Sequence, residues 1–322
     1  MVGSRAVPLL DVVRDGVLES QHGGHVVVCD TDGTVVAQLG DAELPTYVRS
    51  AAKPFQALAT LDLLAEAGVA LDTNGLAIAC ASHDGTATHQ IEAARLLAEA
   101  GLDETALQCP PALPTDVPTM LAQREPQPLA HNCSGKHASF LLAHSATGGD
   151  PADYLRQHTP LQRRVYERLA EASSATPTGP GIDGCGAPAW VLSLRGLATG
   201  FARLAAGQTP ELRRIRSTMT ARPALIGGDD AFDTQMMRAS NRVVAKRGAE
   251  AVLAAGLEGE TALGIAVKIA DGGKRADGPV LAAVLEGLGA LVPAPVRHPV
   301  VLGGGRPHGA LEVRPEVLTL LR

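Results

Sequence analysis

The sequence predicts an α+β layered fold. Three observations carry this expectation: valine-rich runs near the N-terminus that read as a β-hairpin, a long middle with apolar residues at helical spacing, and short strand candidates alternating with helices in the last third. Strands at both chain ends with helices between them allow the two terminal strands to share one sheet.

In order along the chain, "HVVVCDTDGTVVAQLGD" is the hairpin, with Thr31-Asp32-Gly33 supplying the turn between two valine runs. "PFQALATLDLLAEAG" follows with helical periodicity and Gly68 as its stop. "GLAIACASHDG" is apolar and short, and its periodicity fits either a buried strand or a helix. "THQIEAARLLAEAGL" is an amphipathic helix with Thr88 as its expected cap. The proline-rich stretch from Cys109 to Pro128 carries interspersed apolar residues and reads as an ordered connection. "SGKHASFLLAHSATG" and "PLQRRVYERLAEASS" are helices, and "GPGIDGCGAPAWVLSLRGLATGFARLAAG" passes from a glycine-rich turn into another. "ELRRIRSTMTARP" and "DTQMMRASNR" continue the helical pattern. "AVLAAG" and "TALGIAVKIADGGKRA" then bring strands back, and "GALEVRP" is the terminal strand candidate. The expectation is a single catalytic domain over 1–322.

Composition excludes several function classes. The 322 residues are 45% hydrophobic and 19% charged, as in a globular chain with room for a large core. A net charge of −6, a pI near 5.9 and only 2% aromatic residues argue against a nucleic-acid partner, which needs basic surface and stacking platforms. No apolar run is long enough to span a bilayer, and the first residues show no signal-peptide pattern, so no membrane role is expected. Five cysteines without a secretion signal read as reduced thiols in a cytoplasmic protein.

The residues able to carry chemistry fall in five stretches. "RSAAKP" places Ser50 and Lys53 one helical turn apart, so a hydroxyl nucleophile and an amine base can share a face. Pro54 disfavours a helical Lys53, which leaves Ser50 to Lys53 in a tight turn. The plain alternative is a helix start with a solvated lysine. "CASHDGTATH" crowds Ser82, His83, Asp84 and His89 where an apolar run meets a loop, either as active groups or as caps for the next helix. "HNCSGKHASF" holds Cys133, Lys136 and His137, and "GPGIDGCGAP" holds Asp183 and Cys185. The two thiols suit a metal site or simply pack as small buried groups. "GIAVKIADGGKRA" sets Lys268 among Ile265, Val267 and Ile269, either as a partnered lysine or as the outward residue of an alternating strand, with Asp271 as a candidate ion-pair partner.

Taken together, "RSAAKPFQALATL", "CASHDGTATH", "HNCSGKHASFL", "GIDGCGAPAW", "FDTQMMRAS" and "GIAVKIADGGKRA" resemble the asparaginase II family, the thermolabile Rhizobium-type L-asparaginases, over roughly Val26 to Ala276. The resemblance implies a serine β-lactamase/glutaminase-like fold, with a sheet formed by both chain ends and a helical region beside it, and a homodimer. It implies two catalytic serine–lysine pairs, Ser50 with Lys53 and Ser82 with Lys268. It also implies zinc-binding residues at Cys133, Lys136 and Cys185, and substrate contacts from Arg49, His83, Asp84, His137 and Asp183. Some members carry a further cysteine after the last glycine-rich motif; this chain has none beyond Cys185.

The expected activity is hydrolysis of the L-asparagine side-chain amide to aspartate and ammonia, with no organic cofactor. Ser50 would attack, Lys53 would take its proton, backbone N–H groups would hold the oxyanion, and Ser82 with Lys268 would relay protons. Arg49 would meet the substrate carboxylate and Asp183 its ammonium. The rivals are a related amidase such as a glutaminase or β-lactam hydrolase, a non-catalytic amino-acid or metal-binding protein, and a cysteine enzyme built on Cys133.

Overall fold

A computed structural model describes residues 6–321. Its main sheet is antiparallel throughout and contains β1 (Val7–Arg14), β2 (Val17–Cys29) and β3 (Val35–Leu39) from the start of the chain. From the last third come β7 (Val243–Arg247), β8 (Val252–Leu257), β9 (Leu263–Ile269), β10 (Val300–Gly303) and β11 (Arg306–Val313). The strand order is β10-β11-β1-β2-β9-β8-β7, with β3 added to β2. The two chain ends do share the sheet: Leu10 stands opposite Val313 and Val13 opposite Ala310. The expected hairpin is β2–β3, pairing Val26 with Leu39 and Val27 with Gln38.

Helices cover both faces, which is why β8 and β9 are buried almost end to end rather than alternately. Neighbouring residues serve opposite cores. Val27, Val252, Ala254 and Ala266 face one apolar cluster, and Val26, Val28, Leu253 and Val267 face the other. The first cluster is completed by α1 (Lys53–Glu66), α2 (Thr73–Ala79), α3 (Ala87–Glu99), α5 (Ser134–Ala146), α6 (Pro160–Ser173), α7 (Leu194–Ala206) and α8 (Pro210–Ala221). The short α4 (Val117–Gln123) lies in the proline-rich connection, and α9 (Pro223–Gly227) and α10 (Phe232–Ala239) lead into β7. The second cluster is covered by α11 (Lys274–Gly287).

α7 lies directly on β8 and β9 because two glycines let it. A Cβ on Gly264 would sit 1.8 Å from Ala198 O, and one on Gly256 would sit 2.2 Å from Phe201 O. The ambiguous "GLAIACAS" run is helical: Asp72 caps α2 by accepting from Gly75 N–H, and the chain leaves the helix at Cys80. The glycine-rich segment before α7 holds two strands rather than a turn alone. β5 (Thr178–Ile182) and β6 (Pro188–Ser193) form a small second sheet with β4 (Pro45–Tyr47). That sheet brings the 183–187 loop against the start of α1. No helix among the described residues is long and apolar enough to cross a membrane.

Candidate active site

Arg49–Ala52 is a 3-10 turn and α1 begins at Lys53 with Pro54 in its first turn, so the proline fixes the junction without breaking the helix. Ser50 is half-buried in that turn. Lys53 is only 1% exposed. Its ammonium donates to the Ala81 carbonyl, to Asn132 O at 3.5 Å and to the Cys133 sulfur at 3.2 Å. Those partners lie in the 81–83 and 131–134 stretches, so Lys53 ties α1 to both. Among the described residues its hydrogen bonds do not include the Ser50 hydroxyl.

Ser82 follows α2 on an extended stretch pinned at both ends. Its N–H donates to Ile226 O at 2.8 Å and its carbonyl accepts from Arg247 Nη2 at 3.0 Å. Its hydroxyl is buried and finds no partner among the described residues. An unsatisfied buried hydroxyl is costly in a purely structural role and marks a place where a ligand can supply the partner.

A second buried lysine, Lys246, lies on β7 beside Arg247, the residue that reaches the Ser82 carbonyl; its own sequence did not mark it as a candidate. It is fully buried and donates to Asp233 Oδ2 at 3.3 Å and to Arg247 O at 3.0 Å. Burial pulls its pKa down to about 8; Asp233 opposes that fall, while Lys53 and Arg247 add to it. Asp233, on α10, is equally buried. Burial pushes its carboxyl up, but Lys246 and Arg247 outweigh this and hold it below the usual carboxylate range. Lys53 donates to the Ala81 carbonyl, and Lys246 adjoins Arg247, whose guanidinium donates to the Ser82 carbonyl, so both lysines belong to the elements that hold the Ser82 stretch.

Lys268, expected to pair with Ser82, has no hydrogen bond to it among the described residues. It is opposite His25 on β2 and Val252 on β8, its ammonium donates to the Glu250 carbonyl, and it lines a cavity with Tyr47 and Arg49. The strand order places β9 two strands from β7, and it is Arg247 of β7, next to Lys246, whose side chain reaches the Ser82 carbonyl. His83 holds the protein's own groups. Its Nδ1 accepts from Gly85 N–H at 3.1 Å and its Nε2 is 3.0 Å from Ser134 Oγ, so both ring nitrogens are committed to the protein. Asp84 is a latch: its carboxylate accepts from Arg247 at 2.9 Å and its carbonyl from the N–H groups of Thr115 and Asp116.

Cys133, Lys136, His137, Asp183, Cys185 and Arg49 do come together. Cys133 caps α5, and Lys136 and His137 follow in its first turn. Cys185 arrives from the β5–β6 loop, with Lys136 Nζ 3.2 Å from its sulfur. Asp183, in the same loop, accepts from Arg49 Nε at 3.1 Å and Nη2 at 2.7 Å. Hydrogen bonding with Cys185 holds the Cys133 thiol well below its usual range, against burial and with help from Lys53 and Lys136. Burial pulls Lys136 down, but Cys185 and Cys133 raise it further, so it favours the ammonium form. Gln108 N–H donates to the Tyr154 hydroxyl at 3.0 Å, and that hydroxyl lies 2.6 Å from His137 Nδ1. The other ring nitrogen of His137, Nε2, is buried with no hydrogen-bond partner among the described residues.

Cys185, in contact with Lys136, and Cys133, three residues before Lys136, supply two sulfurs and an amine of the kinds zinc takes, with bonds of roughly 2.0–2.3 Å. Among the described residues no group of three His, Cys, Asp or Glu is arranged to hold a metal, so the third donor has to be Lys136. The donor chemistry suits zinc; binding would have to displace the Lys136 proton that the neighbouring sulfurs favour.

A family model described as L-asparaginase II matches residues 10–313. No curated protein is matched. Two solved structures of Mglu are similar. One, in its native form in the presence of 4.3 M NaCl, shares 15% identity at a TM-score of 0.42 over 76% of this chain and 55% of that chain. The other shares 17% at 0.34 over 76% of this chain and 61% of that chain. The present chain thus spans under two thirds of the length of either.

Proposed function

We propose, on the premise that this chain belongs to the L-asparaginase II family, that it hydrolyses the side-chain amide of L-asparagine to aspartate and ammonia. Family membership makes it an amide hydrolase acting on a small molecule. The choice of asparagine, the serine–lysine chemistry, the β-lactamase-like fold, a single domain over 1–322, a homodimer and a cytoplasmic location are parts of this reading. The observation that supports the mechanism is the unpartnered buried Ser82 hydroxyl, on a stretch held by buried Lys53 through the Ala81 carbonyl and by Arg247, the neighbour of buried Lys246, through the Ser82 carbonyl.

Ser50 attacks the amide carbon and Lys53, one turn on, takes its proton and returns it to the leaving ammonia. Ser82 and Lys246 form the second pair. An amine with a pKa near 8 has a sizeable neutral fraction near neutrality and activates the water that releases aspartate. Arg49 and Asp183, paired with each other in this structure, open to take the substrate carboxylate and ammonium. Cys133, Lys136 and Cys185 would hold zinc, which when bound supplies a Lewis acid beside this site.

Ammonia release from L-asparagine and L-glutamine tests the reading. Ser50→Ala, Ser82→Ala and Lys246→Met should each lose about 10²-fold or more in kcat, with Lys246→Met falling further than Lys268→Met. Full turnover in both serine variants would end it.

A further inference from the structure

A cavity of about 440 Å³ is lined by His25, Lys268 and Glu250, which the proposed reaction does not use, and shares Arg49 with that reaction's substrate-binding pair. Its floor is one row across three strands. His25, Lys268 and Val252 stand directly opposite one another on β2, β9 and β8, all on the same face of the sheet. Tyr47 and Leu44 form a wall, and Arg49 closes one end. The volume falls within the range of ordinary small-molecule sites, about 300–1,000 Å³.

Three donors converge here with hydrogens to spare. His25 is 3% exposed, and its Nδ1 accepts from Asp41 N–H at 3.0 Å, so the ring proton lies on Nε2. Among the described residues, that Nε2 has no hydrogen-bond partner. Lys268 uses one of its three N–H groups on the Glu250 carbonyl. Arg49 gives Nε and Nη2 to Asp183 and leaves Nη1 uncommitted among the described residues. Glu250 is exposed at the rim, held there by a left-handed backbone (φ 57°), and its carboxylate has no ion pair among the described residues. Leu44, Val252 and Ala270 supply apolar lining between these groups.

We infer that this cavity is a second small-molecule site, binding a free α-amino acid with an aliphatic side chain. Its carboxylate is held by Lys268 and His25 Nε2–H, and its ammonium by Glu250. Charge order and apolar lining together select this class. A simple anion leaves Glu250 and the apolar wall unused, and an amine leaves Lys268 and His25 unanswered. The inference does not depend on which amide the enzyme hydrolyses, because an aliphatic amino acid has no side-chain amide to cleave.

The test is calorimetric titration of the full chain with L-leucine, 4-methylpentanoate and isoamylamine as probes. L-Leucine should bind, 4-methylpentanoate should bind several-fold more weakly, and isoamylamine should not bind. Lys268→Met and His25→Phe, each checked for unaltered thermal unfolding, should weaken L-leucine about 10-fold or more, the scale of one lost charge-assisted contact. Glu250→Gln should reduce L-leucine to the affinity of 4-methylpentanoate. No heat from L-leucine at about 10 mM, binding unchanged in a folded Lys268→Met or His25→Phe, or isoamylamine binding as well as L-leucine would each overturn the inference. Ammonia release from wild type without L-leucine is read in parallel, so a failure here is not confused with a failure of the amidase reading.

Discussion

Lys246 and Asp233 form an ion pair in which both side chains are fully buried, with Nζ 3.3 Å from Oδ2. Asp233 Oδ1 has no hydrogen bond among the described residues; Arg247 Nε lies 3.8 Å away. A charge pair this deep stabilises little by itself, because desolvation offsets the attraction, but breaking one side is expensive. Asp233→Ala should therefore lower stability by about 3 kcal/mol, measured by denaturant unfolding.

The same pair sets a pH dependence. The groups acting on Lys246 are Asp233, which raises its pKa, and burial, Lys53 and Arg247, which lower it to about 8; Cys80 and His83 lie within its field. If Lys246 works as a base, kcat rises as pH climbs through about 8. Asp233→Asn removes the negative charge that favours the ammonium, so the amine loses its proton at lower pH. The rising limb of the kcat profile should move to lower pH in Asp233→Asn. A limb that stays in place, or moves up, would show that the titrating group is not Lys246.

Asp277 gives a stability prediction. It sits in the first turn of α11, 9% exposed, and burial raises its pKa to about 6 despite a hydrogen bond from Gly278 N–H at 2.7 Å. A carboxyl whose native pKa exceeds its unfolded value favours folding in its protonated form. That contribution is complete below pH 3.8 and is lost as pH rises through about 6. Asp277→Asn keeps the oxygen that accepts from Gly278 and removes the charge. It should be more stable than wild type by about 1–3 kcal/mol at pH 7.5, with the gap closing toward pH 4. Thermal melts across that range measure it.

Gly264→Ala tests the close approach of α7. The added methyl would meet Ala198 O at 1.8 Å and Ala202 N at 2.4 Å, both backbone atoms that cannot rotate away. The helix must lift from β9, at a cost of about 3 kcal/mol. Gly148→Ala is a control for backbone strain alone, since its φ is 80° but nothing lies within 4 Å of the added carbon.

What the sequence revealed follows from how local each signal is. The β2–β3 hairpin is written in adjacent residues, and α3 in a single amphipathic period. The sheet shared by both chain ends was legible because strand candidates occur at each terminus. Lys246 was not: "VVAKR" reads as an ordinary strand, and nothing at its own position says that Asp233, from α10, will bury with it. Lys268 carried the more conspicuous pattern, a lysine in an apolar run, and the register of β9 sets it opposite His25. β5 and β6 were read as a turn because their glycines and prolines mask two short strands that exist only by pairing with each other and with β4. Arg49 and Asp183 meet across 134 positions, a contact that spacing cannot show.

Lys53 separates a surface lysine from a working one. A solvated lysine at a helix start would tolerate Lys53→Ala within about 0.5 kcal/mol and without loss of rate. The structure buries it and spends its hydrogens on the Ala81 and Asn132 carbonyls and the Cys133 sulfur. Lys53→Ala should therefore cost about 2 kcal/mol or more, from the cavity and the orphaned carbonyls together. Lys53→Met keeps the stem and should recover part of that stability while kcat remains down by about 10²-fold or more. Lys53→Arg retains charge and donors but cannot give up its proton near neutrality. Asparagine turnover near the wild-type rate in a folded Lys53→Arg would mean that this residue supplies only charge and position, and the proton acceptor for Ser50 would have to be sought at Lys246.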